Sequence, residues 1–198
     1  LGMIFLRSLL FNIQFYLGTS ILVTVCLPCL LFPRKVVIFV NKIWCSMMTK
    51  GMKWWLNTEI KIIGQIPSKK RVVIYAIKHQ SAWETVFCTD LFSMPSIVLK
   101  KALIFLPVIG LYFLRAGAIP ISRDQGLNAL RKMGRNAQKA VKENRSMMIF
   151  PQGTRVNPGI SSKQKPYLPG VFFLYSQAKV PVIPVAHNAG LLWPKNSF

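Results

Sequence analysis

Acidic residues are scarce in this chain of 198: five Asp and Glu stand against 26 Lys and Arg, a formal net charge of +21. Such an imbalance excludes a self-neutralising surface and demands anionic company, whether nucleic acid, anionic lipid or a phosphorylated substrate. Histidine is scarcer still. His79 and His187 are the only two, and Cys26, Cys29, Cys45 and Cys88 form no array with them. That excludes the usual nitrogen- and sulfur-ligated zinc spacings, and no metal is expected. Cys26 and Cys29 make a C-x-x-C, but within an apolar stretch lacking thioredoxin-like context, so small-residue packing is the favoured reading. No RNP, zinc-finger or helix-turn-helix pattern occurs, and the basic residues are interleaved with aliphatic runs. Nucleic acid is therefore not the expected partner.

Apolar residues, by contrast, are plentiful: 52% of the chain is hydrophobic and the mean hydropathy is +0.38. A chain this greasy builds a core and has apolar surface left over, which favours lipid as the partner. Residues 8–33 carry no charge and are bracketed by Arg7 and by Arg34-Lys35. As a helix they span roughly 39 Å, more than the hydrocarbon layer of a bilayer. Asn12, Gln14 and Pro28 interrupt the run, so a kinked or half-inserted helix stands beside a straight span. A cleaved signal peptide fits poorly, because the apolar part is too long and no small-x-small pattern precedes Arg34.

From Val36 to Trp55 apolar residues recur at spacings of three and four, with lysines and asparagines between them. This predicts a second, amphipathic helix, seated at the lipid headgroups through its tryptophans and lysines or packed on the domain. If the first helix spans, the Lys and Arg that follow place the remainder in the cytoplasm. Residues 1–66 are thus expected to form membrane-anchoring helices and residues 67–198 an α/β domain. The first residue, Leu1, reads as the start of a fragment, and the end at Phe198 as a truncation.

Beyond Pro67, short aliphatic runs alternate with helical patterns. The runs are Val72 to Ile77, Ile97 to Leu99, Ala118 to Ser122, Met147 to Phe150 and Val180 to Val185. The helices are expected at Ala82 to Phe92, Ala102 to Leu114, Gln125 to Asn144 and Gly170 to Ala178. This alternation predicts an α/β fold with a mixed, largely parallel sheet flanked by helices.

His79 directly follows the first strand, at a carboxyl end where α/β clefts form. Glu84 lies five residues on. That spacing does not align side chains on a regular helix, but a turn at His79 with Glu84 in the first helical turn permits contact. Glu84 then accepts the Nδ1 proton and leaves Nε2 as a base. Spacing alone weighs this evenly against a structural histidine with a glutamate favoured by the helix dipole.

Read in order, His79 to Glu84, Leu99 to Gly110, Gly117 to Arg123, Phe150-Pro151-Gln152-Gly153-Thr154-Arg155 and Val180 to Val185 resemble the blocks of the glycerolipid acyltransferase family. They are most similar to those of its bacterial 1-acylglycerol-3-phosphate branch. The resemblance implies that His79 deprotonates a glycerol hydroxyl as it attacks a fatty acyl thioester, with Glu84 orienting the imidazole. Backbone N–H groups at the helix start after His79 are the expected oxyanion donors. It further implies that Arg123 and Arg155, with Lys101 contributing, hold the acceptor's phosphate beside Gln152, Gly153 and Thr154. No cofactor is expected, the donor being acyl carrier protein or coenzyme A carrying the acyl chain. The partners implied are a lysophospholipid acceptor and anionic membrane lipid.

Two departures stand out: the family usually has Asp where this chain has Glu84, and Glu where it has Gln152. A neutral amide hydrogen-bonds a hydroxyl but cannot act as a base, which opens the acceptor's identity to glycerol 3-phosphate or another lysophospholipid. A non-catalytic, basic membrane-binding protein is the remaining alternative. His187, past the last block, receives no role.

Overall fold

The computed structural model describes residues 2–122 and 126–194. Helix α1 (Gly2–Val25) leads through a 3₁₀ turn (Leu27–Leu31) and Pro33 into α2 (Arg34–Leu56). There follow β1 (Ile74–Ile77), α3 (Trp83–Leu91), β2 (Ser96–Lys100), a 3₁₀ turn (Lys101–Phe105), α4 (Ile109–Arg115) and β3 (Ile119–Ile121). Then come α5 (Gly126–Lys142), β4 (Met147–Ile149), α6 (Gly170–Ala178), β5 (Val182–Val185) and a last 3₁₀ turn (Ala189–Leu191). The five strands form one sheet in the order β3-β2-β4-β1-β5. All four pairings are parallel, so the sheet is wholly rather than largely so.

Alternation along the strands sorts side chains to two faces. Ile74, Met147 and Ile149 point to one side, where Met133, Ala137 and Ala140 of α5 and Leu174 and Ala178 of α6 cover them. Tyr75, Ile77 and Met148 point to the other, against Cys88 and Phe92. Each fully buried aliphatic or methionine side chain in these layers contributes about 1.5–3 kcal/mol. Alanines on α5 let that helix sit close to the sheet.

The α3 layer carries the N-terminal hairpin. Cys45 and Met48 of α2 pack on Val86 and Met94, and α1 packs on α2. Four polar residues of α1, Asn12, Gln14, Thr19 and Ser20, have hydrogen-bond partners in α1 or α2. Gln14 Nε2 donates to the Met47 carbonyl at 2.8 Å and its Oε1 accepts from Trp55 Nε1 at 2.7 Å. Trp44 Nε1 donates to Thr19 Oγ1 at 2.9 Å, and Asn12 and Ser20 bond carbonyls one turn back. Trp44 and Trp55 are thus engaged by α1, and Trp54 is the indole of α2 that faces outward. The hairpin also meets the sheet unit through Phe11 and Phe15, whose rings stand edge-on to Trp193.

The expected helix from Ala102 to Leu114 is two pieces. Pro107 holds Leu106 extended, and Val108 turns left-handed with φ 60°. Gly110 then comes so close to Ile104 that a Cβ would meet its carbonyl oxygen at 2.0 Å.

Candidate active site

Parallel strands bring their carboxyl ends to one edge of the sheet, and the turns that leave it carry the polar residues. From β1 the chain reaches His79 two residues past the strand, then enters α3 at Trp83. Glu84, in the first turn of α3, is fully buried and reaches back. Its Oε1 accepts from the backbone N–H of Gln80 at 2.8 Å and of Ser81 at 2.9 Å, and its Oε2 from Ser81 at 3.0 Å. A carboxylate this well supplied with donors keeps its position. His79 Nδ1–H donates to the same Oε1 at 2.7 Å. The two readings of Glu84 therefore coincide, since the residue that caps the turn also orients the imidazole. One extra methylene relative to Asp does not break the contact.

These bonds correct one expectation. The N–H groups of Gln80 and Ser81 are bound to Glu84, so they are not free to stabilise an oxyanion.

His79 is held from three directions. Its ring stacks on Phe150, with centroids 4.1 Å apart and planes 20° apart. Its carbonyl accepts the Val156 N–H at 2.8 Å. The ring is 19% exposed, at the mouth rather than in the interior. With Nδ1 engaged by Glu84, Nε2 is the atom left for proton transfer.

Phe150 and Val156 both touch His79, so the residues between them form a loop beside it. Gly153 makes the loop's turn, with φ 67° and its N–H on the Phe150 carbonyl at 2.9 Å. Gln152 is 2% exposed, yet among the described residues neither Oε1 nor Nε2 has a partner, and Gln80 Oε1 is likewise buried and unpartnered there. Buried amides of this kind are costly unless a ligand completes them. The half-buried Arg155 guanidinium has no carboxylate within ion-pair distance among the described residues. Thr154 lies beside it, half-buried as well. Lys101 leaves the end of β2, which β4 separates from β1, so it flanks the loop from the far side. Arg123 lies outside the described residues.

An apolar groove of about 410 Å³ opens beside this edge. Trp83 and Phe87 of α3, Ile183 and Val185 of β5, the isoleucine-rich segment 58–66 and His187 line it. No group of three or more metal-ligating residues occurs among the described residues. The sequence pattern missed His187, although it sits two residues past the end of β5, the same address that drew attention to His79.

A model of the acyltransferase family matches residues 58–188, which cover every block of this site. The chain belongs to that family. It is 35% identical to a 1-acyl-sn-glycerol-3-phosphate acyltransferase of Pseudomonas aeruginosa over 77% of its own length and 56% of the relative's. It is 26% identical to the Saccharomyces cerevisiae protein of the same name over 73% of its length and 48% of the relative's. The chain thus spans about half the length of these curated relatives. The crystal structure of a 1-acyl-sn-glycerophosphate acyltransferase from Thermotoga maritima superposes with a TM-score of 0.73 at 21% identity, covering 98% of this chain and 80% of that one. This last likeness speaks to the fold.

Proposed function

We propose that the protein transfers a fatty acyl chain from an acyl thioester to the free hydroxyl of 1-acylglycerol 3-phosphate, giving phosphatidic acid. The observation that carries this is the His79–Glu84 pair at the sheet's edge, beside a loop whose buried Gln152 amide has no partner and whose Arg155 guanidinium meets no carboxylate among the described residues. His79 Nε2 takes the hydroxyl proton as the oxygen attacks the thioester carbonyl carbon. A tetrahedral oxyanion forms, collapses by breaking the carbon–sulfur bond, and the departing thiolate takes the proton back from His79. Glu84 keeps the imidazole in the tautomer this requires. Arg155, with Lys101 and Arg123, holds the acceptor's phosphate, and Gly153 and Thr154 shape the approach. Gln152 binds the glycerol hydroxyl through an amide that both donates and accepts.

The groove beside His187 suits an acyl chain, because its walls are apolar and it opens next to the reacting edge. The donor is an acyl chain on acyl carrier protein or on coenzyme A. Residues 1–66 seat the enzyme on the bilayer and residues 67–198 hold the chemistry. Helix α1 is long and apolar enough to cross a membrane, and almost none of it is buried in the protein. If α1 spans the bilayer, the lysines and arginines after Pro33 favour the cytoplasmic side for the catalytic unit.

The test is thiol release from acyl-CoA and from acyl carrier protein by purified protein. Release dependent on lysophosphatidic acid, with phosphatidic acid as product, is expected. A preference for glycerol 3-phosphate or for a zwitterionic lysolipid would reassign the acceptor, as the neutral Gln152 permits. Anionic vesicle binding without transfer to any acceptor would leave only the membrane-binding role.

A further inference from the structure

We propose that His187 is a positioning residue of the acyl-transfer site, locking the Lys78–His79 peptide so that the imidazole of His79 stays aimed; this rests on the reading of His79 given above. His187 follows β5, the strand paired with β1, and the two chains stay together past the end of the sheet. Lys78 N–H donates to the Val185 carbonyl at 3.1 Å. His187 Nε2–H then donates to the Lys78 carbonyl at 2.5 Å, while its Nδ1 accepts the Ala189 N–H at 3.2 Å. The two bonds fix both the ring's orientation and its tautomer, with the hydrogen on Nε2.

The consequence for His79 is geometric. Both backbone groups of Lys78 are held by β5 and its continuation, and the carbonyl of His79 is held by Val156 on the opposite side. The peptide joining the two residues is pinned at each end. Without His187, the Lys78 carbonyl loses its partner next to the pivot of the catalytic turn. The same ring lies beside Glu84, with Nε2 3.9 Å from Oε2, while its N–H stays committed to the Lys78 carbonyl. Glu84 has one more rotatable bond than the Asp usual in the family. The Ser81 N–H at 3.0 Å restrains that freedom at Oε2, and His187 packs beside the same oxygen. His187 itself does not reach the reacting atoms; it acts through Lys78 and Glu84.

The prediction concerns reach. In His187→Gln the amide nitrogen takes the place of Nε2 and meets the Lys78 carbonyl. In His187→Asn it falls short, and in His187→Ala it is absent. We expect kcat to fall about 10- to 100-fold in the Ala and Asn variants, with KM for donor and acceptor within about two-fold, and to return to within about five-fold of the parent in Gln. Imidazole NMR of the full chain in detergent supplies a readout independent of turnover. The His79 Nδ1–H resonance is expected to persist in Gln and to shift or exchange away in Asn. Parental kcat with unaltered His79 signals in the Asn variant overturns the proposal. So does an equal loss in Gln and Asn accompanied by a lowered Tm, which marks a structural role only. If His79→Ala retains turnover, the role of His79 falls, and the imidazole signals still decide whether His187 orients its ring.

Discussion

The two ends of the sheet treat polar groups in opposite ways. At the amino end the guanidinium of Arg145, just before β4, is tied down: it bonds Ser96, the first residue of β2, the Gly117 carbonyl at 3.2 Å and Glu143 at 2.8 Å. At the carboxyl end Gln152 and Gln80 are buried with amide atoms lacking partners, and Arg155 has no counter-ion among the described residues. Folding alone gains from the first arrangement and loses from the second. The polar groups at the amino end are thus tied to the fold, and on the proposed function those at the carboxyl edge meet the acceptor.

Substitutions at the two ends should accordingly move activity and stability independently. The largest effect is expected for His79→Ala: kcat falls by about 10²–10⁴ as the base is lost, while the thermal midpoint moves by less than about 2 °C. Thiol release and calorimetry check this, and retained turnover breaks the assignment. Glu84→Gln belongs to both categories, because the carboxylate supports the turn as well as His79. We expect about 10²-fold loss of kcat together with a loss of about 1.5–3 kcal/mol, since an amide cannot accept from every N–H now facing it. Arg145→Met should do the reverse of His79→Ala. A loss of about 2–3 kcal/mol in urea melts, with kcat unchanged below the melting range, is the expected result.

Smaller effects sharpen the contrast further. Gln152→Leu removes two unpartnered buried atoms, so stability should hold or rise by about 1 kcal/mol while KM for the acceptor increases about ten-fold. A fall in stability with unchanged KM would place Gln152 with Arg145 instead. The smallest signal is chemical. Burial, and then the nearby charge of Glu84, push the Cys88 thiol up to about 12. The reactive thiolate is a very small fraction at pH 8, so Cys88 should resist iodoacetamide there in the folded chain and react on denaturation, read by mass spectrometry.

Much of this was legible in residue order. The strands fell where short aliphatic runs alternate with helical patterns, because a parallel sheet buried on both faces leaves that mark. His79 and Glu84 were legible because a turn followed by a helix start lies within six residues. The break at Pro107 has a cause visible in the sequence, because a proline pushes the residue before it out of the helical region. His187 was hidden for a different reason. Its contact with Lys78 depends on β5 lying beside β1, a separation of 109 residues that only sheet order reveals. The engagement of the Gln80 and Ser81 amides by Glu84 was equally out of reach, since it follows from the rotamer Glu84 adopts.

The hairpin of α1 and α2 has a bearing on how the protein is handled. Asn12, Gln14, Thr19 and Ser20 are satisfied within it, while Met3, Ile4, Leu17, Ile21 and Val25 lie bare on its outer side. Little water has to be stripped from that flank when it enters an oily phase. Washing a membrane preparation with concentrated salt, which screens the many lysines and arginines, should leave the protein in the pellet, and solubilisation should need a surfactant.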